Sequence, residues 1–430
     1  MTGVRQPPRP RTGDFGDLFH PGNLGPAMKN KRSPSGFSIS FFLAFLVALF
    51  LLFTPFEESG TRATMLPKYL AAGVAMAAMS PLVFLGKIRV KLPSLLVATL
   101  LFTLVFHVVV VKPVPPQFVL LIAANLALAI AIFETRFSYR REFEAALACL
   151  IGINVLTLTI QVILYYFVTH TIYDVHQLVF GTESRVTEEY FNIARFAGLH
   201  VEPGTYTNYV SCMLAIYAFS AEFSKKLIVV AVGTIISVLM THAASSIFFV
   251  SVLLLLLGWL WRKRIGLLEI VIALSVVVFY IYASNFIDHL MTRFGGNDPS
   301  LSFKMQGINT YLDAGVEEKF TGFGYGTDPC IGCHYQDIGV ILNLVSRGGI
   351  IVTLPLALIL LRIFALHGII LAAIIVLIPA YCIMYFYEAP IWIFLLFAIS
   401  SRQMLDKRVQ PRTRSTAPGA IAPAGMVAHH

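Results

Sequence analysis

Residues 195–209 read RFAGLHVEPGTYTNY, which sets Arg195, His200 and Glu202 in one short stretch between two long apolar runs. A guanidinium keeps its charge, while an imidazole and a carboxylate exchange protons, so the stretch holds side chains suited to anion binding and proton transfer. A second concentration of such residues begins with Arg293 and Lys304 and continues through TGFGYGTDPCIGCHYQDIG, which carries Gly322, Gly324, Gly326, Cys330, Cys333, His334 and Asp337. Alternate glycines let successive backbone amides form a nest for a phosphate, a lipid diphosphate included; the other reading is a plain flexible turn. The CIGC pair admits a local disulfide in an oxidising compartment, a redox pair or half a zinc site. With no second cysteine pair and no thioredoxin-like context, the structural disulfide leads, and a pair of free thiols is the alternative.

The chain that must position these residues has 430 residues, 57% hydrophobic and only 13% charged, which is the composition of a polytopic membrane protein. Apolar runs long enough to cross the roughly 30 Å hydrocarbon slab as helices recur along it. The expected fold is all-α, a transmembrane helical bundle of about twelve spans, because unpaired backbone groups cannot face lipid. The spans read 37–54, 69–85, 93–111, 117–133, 145–168, 206–222, 227–241, 244–261, 266–284, 338–361, 368–387 and 389–401. The first reads as a retained signal anchor, since no small-residue cleavage site follows it. Cys149, Cys212 and Cys382 lie inside apolar runs and read as small buried hydrophobes.

The net charge is +9, but Lys and Arg come as short clusters in alternate connections, at Lys29–Arg32, Lys87–Lys91, Arg136–Arg141, Lys225–Lys226, Arg262–Arg264, Arg362 and Arg402–Arg408. That alternation is a topology signal and not a nucleic-acid surface; it places both termini in the cytoplasm. Residues 1–35 and 403–430 are rich in Pro, Gly, Ala and Arg and read as disordered tails flanking a membrane domain over 36–402. Two outward loops are then long, at about 169–205 and 285–337, and they hold the chemically loaded residues. The spans carry almost no charge: His107 and Glu269 fall near span ends, where interfacial solvation would satisfy them. An ion-coupled carrier is therefore disfavoured, and no internal repeat supports an inverted-repeat transporter, although a flippase with a polar groove stays in view. In the second loop Asp298 and Pro299 open a helix with Leu301, Met305, Ile308 and Leu312 on one face, ended by Gly315, lying on the membrane surface or packed on the loop.

The pattern of about twelve spans, two enlarged outward loops, an Arg-x-x-Gly segment leading through a Pro/Gly break into a span, and GFGYG...H..D.G.....S.GGI entering another resembles the O-antigen polymerase (Wzy-type) and O-antigen ligase superfamily. The likeness covers most of the chain in topology and about 50 residues in motif. It implies an inner-membrane glycosyltransferase, independent of metal and of any cofactor, acting at the periplasmic face on an undecaprenyl-diphosphate-linked oligosaccharide. Besides that substrate and membrane lipid, it implies a chain-length regulator and a flippase of the same pathway as partners. Arg195 and Arg293, with Lys304, would neutralise the diphosphate leaving group, with Gly324 and Gly326 as backbone donors. The base that takes the proton of the acceptor hydroxyl would be His334, oriented by Asp337, with Glu202 the rival and His200 a third option. One departure is that LMTHAASSIFF resembles the superfamily's Thr-x-Ser segment without an arginine after the serine; His242 is the residue that would stand in. The expectation is thus a polymerase of O-antigen or exopolysaccharide repeats, against a ligase or a non-enzymatic transporter of polysaccharide or lipid-linked sugar.

Overall fold

In the computed structural model, residues 37–54, 92–186, 194–262, 299–325, 338–384 and 388–400 are described, together with 264, 271, 275, 278, 282, 291 and 330. The expected spans at 69–85 and 266–284 and both tails therefore lie outside the described residues, apart from a few isolated positions. The elements below all belong to one compact unit, Ser38–His430; the separate unit Met1–Phe37 contributes only Phe37 to the description.

The described elements are helical. They are α1 (Ile39–Phe53), α2 (Leu92–Phe106, extended by a π-helical turn His107–Val111), α3 (Pro116–Thr135) and α4 (Arg140–Leu164, extended by Tyr165–Thr169). Then follow α5 (Val175–Phe180), α6 (Pro203–Ser220), α7 (Lys225–Met240), α8 (Ala244–Trp261), α9 (Pro299–Leu312), α10 (Val316–Thr321), α11 (Val340–Tyr381) and α12 (Ala389–Ala398). Local chemistry sets several starts. Pro116 and Pro203 occupy first-turn positions where their missing amide costs nothing, and Asp174 and Ser224 accept the amides of Gln177 and Leu227 as caps. α9 is described from Pro299, the expected Asp298 cap lying outside the described residues, and Ile308 packs with Phe323, Ile338 and Cys330 while Met305 and Leu312 stay exposed.

Among the described residues five helices are long and apolar enough to cross a membrane: Leu92–Val111, Phe118–Thr135, Arg140–Thr169, Ala244–Trp261 and Val340–Tyr381, with Ile39–Phe53 and Ala389–Ala398 as shorter apolar helices. Large apolar side chains such as Phe102, Leu120, Leu156 and Leu354 are exposed on their outer faces. On a membrane helix these are the faces that lipid covers.

The expected spans 338–361 and 368–387 run on from one another as α11, whose 42 residues would reach about 63 Å if they were one straight helix, twice the slab. It is not straight. The backbone leaves helical geometry at Gly349 and at Gly368, and Gly339 at its start lies against the carbonyl of Ala380 near its end, so the element doubles back.

Helix ends sort into two sets by their contacts. At one, Ser38 donates its amide to Glu142, Arg140 bonds the Ser220 carbonyl and pairs with Glu144 and Glu222, Phe223 meets Trp261, and His367 bonds the Ala398 carbonyl. Arg136 is buried there with its guanidinium 3.7–4.5 Å from the ring centres of Phe133, Phe137 and Phe397, where cation–π attraction offsets its desolvation. At the other, Thr207 meets Thr241, the Tyr209 phenol donates to Glu388, Asn208 accepts the Ile383 amide and Phe248 stacks on Tyr381. The Arg195 segment, the C-terminal ends of α4 and α7 and the start of α8 belong to this second set.

Candidate functional site

The segment 194–202 is inserted among helix ends and not laid over them: from Ala194 to Val201 every residue is buried except half-buried Arg195. Non-helical backbone at such depth needs partners, and α4 supplies them. Gln161 Oε1 accepts the amides of Ala197 (3.1 Å) and Gly198 (2.9 Å), while its Nε2 donates to the Tyr173 carbonyl (2.6 Å). His176 donates from Nδ1 to the Leu199 carbonyl (2.8 Å), Asn154 Oδ1 faces His200 Nε2 (3.0 Å), and the Arg185 amide donates to Val201 (2.7 Å). Asn154 and Gln161, uncharged polar residues in an apolar run, carry no signal in sequence that separates them from incidental positions.

Arg195 is held from both sides. The Phe196 amide meets the Thr241 carbonyl at 3.4 Å, and His242 Nδ1–H donates to the Ala194 carbonyl at 2.8 Å. His242 adopts φ 51, rare for a side-chain-bearing residue, so the turn between α7 and α8 is strained where it grips this segment. Burial lowers the His242 pKa, the carbonyl contact opposes that, and the Arg195 charge lowers it further. The shift disfavours the charged imidazole that would have to stand in for the missing arginine.

Glu202 stands at the N-cap of α6, accepts the Thr205 hydroxyl and lies 3.9 Å from Arg185, with its side chain about one-third exposed. It remains reachable by a substrate. His200 does not: it is wholly buried against Tyr206 and Tyr209, and burial, with a lesser contribution from His176, pushes its pKa down to about 3. The expected role of His200 in binding substrate or taking a proton gives way to a structural one, holding the loop on Asn154. The sign of its pH effect follows. An unfolded histidine takes up a proton as pH falls through 6.5 while the folded one does not, so stability is lost from about 6.5 downward at a slope of up to roughly 1.4 kcal/mol per unit. Thermal unfolding at pH 7.0 and 5.0 in detergent is expected to give a larger drop for wild type than for His200→Gln; equal drops would sink this account.

The GFGYG segment reaches the same kind of position by another route. The amide of Gly322 donates to Glu318, that of Phe323 to Ser346 and that of Gly324 to Arg347. These three donors are committed to carbonyls, so the expected phosphate nest is absent at Gly324, where the glycines serve close backbone approach instead. Gly326, His334, Asp337 and Arg293 lie outside the described residues; Lys304 is half-buried on α9. His107, expected to be solvated at a span end, is buried and its Nε2 bonds the Thr321 carbonyl at 2.5 Å, with Tyr325 edge-on to its ring. Sequence reasoning passed over Lys112, Arg347, Tyr209 and Glu388, all of them set against this end by contacts across the fold. Cys330 is disulfide-bonded, and Cys149, Cys212 and Cys382 are free. Among the described residues no three His, Cys, Asp or Glu side chains are grouped to hold a metal ion.

Fold and site together define an all-helical protein of membrane type with cationic and proton-exchanging side chains gathered at one end of its bundle. The chain matches no family model, no curated protein and no solved structure.

Proposed function

We propose that the protein is a polytopic inner-membrane glycosyltransferase that polymerises lipid-linked repeat units into O-antigen or exopolysaccharide. In this reading the chain crosses the bilayer about twelve times, with both termini in the cytoplasm, and the end bearing Arg195 faces the periplasm. The observation that carries it is the anchoring of Arg195: a half-buried arginine on a loop inserted at the membrane boundary, pinned to α4 and to the turn between α7 and α8, with half-buried Glu202 seven positions on. The Lys/Arg-rich connections around Arg140 and Arg262 gather at the opposite end, which supports the orientation. The disulfide at Cys330 fits an oxidising compartment.

In the reaction the acceptor hydroxyl oxygen forms a bond to the anomeric carbon, and the bond from that carbon to the diphosphate oxygen breaks. The electron pair leaves with the diphosphate, which Arg195 neutralises, together with Arg293 from the second loop, and the hydroxyl proton passes to a base. His334 with Asp337, or Glu202, is that base; the burial of His200 favours these residues over it. The buried polar residues of α4 are engaged in holding the loop, which supports a transferase over a carrier that would need them to line a path. The ligase-type arginine is absent and burial works against a charge on His242 in its place, which favours polymerase over ligase.

The test is the length distribution of surface polysaccharide in a deletion strain complemented with wild type or Arg195→Ala at matched protein level. Loss of the long ladder with single repeats retained is the expected result, corresponding to a drop in transfer of at least ~100-fold for removal of one charge-stabilising donor. Unpolymerised chains in wild type would refute the reading. Polymer formed normally but left unattached in the deletion strain would assign the ligase activity instead.

A further inference from the structure

We propose that α5 is an in-plane membrane anchor, a short helix whose outer face is seated in lipid at the bilayer boundary; this does not depend on the transferase reading. At six residues α5 is too short to persist alone, so its surroundings hold it. Inward, His176 is buried, with Nδ1–H on the Leu199 carbonyl (2.8 Å) and Nε2 accepting from the Thr182 hydroxyl (3.0 Å). The Phe180 ring lies against those of His176 and Phe50. Outward, Leu178 is 86% exposed and Val179 is exposed beside it; Phe167 and Val168, at the end of α4, are bare as well.

The depth of α5 identifies what covers this face. Arg140, paired with Glu144 and Glu222, marks the opposite boundary. Gln161 stands 21 positions further along α4, roughly 32 Å up the axis, which is about one hydrocarbon thickness. Its Nε2 donates to the carbonyl of Tyr173, two residues before α5 (2.6 Å). The chain that climbs on to Thr169 therefore returns to the boundary before α5 begins. α1 gives the same level independently. The Ser38 amide fixes its start at Glu142, and its 15 residues reach only about 22 Å, short of the slab. Phe180 meets Phe50 in the last turn of that helix, so α5 packs where α1 falls short.

The polar groups suit such a place. Asp174 accepts the Gln177 amide on one carboxylate oxygen (2.8 Å) and the Ser184 amide on the other (2.7 Å). Tyr166 and Tyr173 are exposed, and tyrosine favours the headgroup level. Along α4 the exposed residues Leu156, Ile160, Ile163 and Phe167, spaced by four, three and four, form one stripe that passes Gln161. The apolar surface of α5 lies at the level of a face that a membrane-crossing helix already turns to lipid, so lipid is its occupant. Through His176 the anchor ties the Leu199 backbone, and with it the Arg195 loop, to the bilayer surface.

The experiment reads depth with a nitroxide in the full chain in phosphatidylcholine nanodiscs. In a Cys149→Ser background Cys212 and Cys382 are buried and Cys330 is disulfide-bonded, so the label goes to an introduced cysteine. Relaxation of the label by oxygen, which concentrates in the bilayer, is compared with relaxation by a water-soluble nickel chelate. At Leu178→Cys and Val179→Cys oxygen is expected to dominate and the nickel effect to be lost, as at Ile163→Cys on α4, while nickel dominates at Glu183→Cys. Val179→Cys decides the matter where Leu178→Cys is not monodisperse. Nickel dominating at both positions would place α5 in water. Shielding from both reagents would place it against another protein surface, a second copy included; either result overturns the proposal.

Discussion

Alanine at Gly349 is expected to abolish accumulation of folded protein in the membrane. Gly349 has φ 57 and ψ −158, a region essentially reserved for glycine, and a Cβ there would lie under 3.0 Å from the Phe320 carbonyl and the Gly322 amide. Gly322, with φ 74, meets the Arg347 carbonyl equally closely from the opposite side. Two backbones are in direct contact, so neither can retreat without opening the pairing of Phe323 with Ser346 and of Gly324 with Arg347. The backbone conformation alone costs about 1–3 kcal/mol and the overlap adds to it, so a loss above about 4 kcal/mol is expected, close to the whole stability of many domains. Gly152→Ala is the control: it lies within α4 with open space around its Cβ position, and is expected to be neutral or up to about 1 kcal/mol stabilising. Fluorescence-detected gel filtration of tagged variants at equal expression measures both. A monodisperse Gly349→Ala peak at the wild-type level would mean that the break in α11 is dispensable.

The second large effect is expected at Gln161. Leucine there keeps the volume and the apolar character of the helix but leaves the amides of Ala197 and Gly198 without an acceptor and the Tyr173 carbonyl without its donor. Each buried group so stranded costs about 1–3 kcal/mol, which sums to roughly 3–6 kcal/mol after partial relaxation. Thermal unfolding in detergent is expected to fall by about 3–7 °C, and the Arg195 loop to become accessible to protease before the bundle melts. Gln161→Glu retains the acceptor and loses the donor, so its loss is expected to be smaller if the loop amides are what matter. A midpoint for Gln161→Leu within about 2 °C of wild type would show that the loop is held elsewhere.

What could be read from the chain alone and what could not separate along a physical line. The apolar runs placed helices near their observed bounds, as with Leu92–Val111 and Ala244–Trp261, because the period and length of a buried or lipid-facing run are local properties. The alternation of basic connections anticipated which helix ends keep company, at Arg140 with Ser220 and at Phe223 with Trp261. The choice among polar residues was another matter. His200 and Glu202 stand two positions apart, yet Asn154 and two tyrosines bury the first while the second stays open to solvent. Gln161 looked like an incidental amide in an apolar helix until Ala197 and Gly198 met it, and Gly322 and Gly324 looked like a phosphate nest until Ser346 and Arg347 took their neighbourhood's donors. Sequence by itself determined that the chain is helical, of membrane type and polar at particular connections, because hydropathy and proline act within a turn or a span. Only the tertiary structure decided which of those polar groups are spent on holding backbone and which remain for chemistry, because a hydrogen bond between residues dozens or hundreds of positions apart leaves no mark on either residue alone.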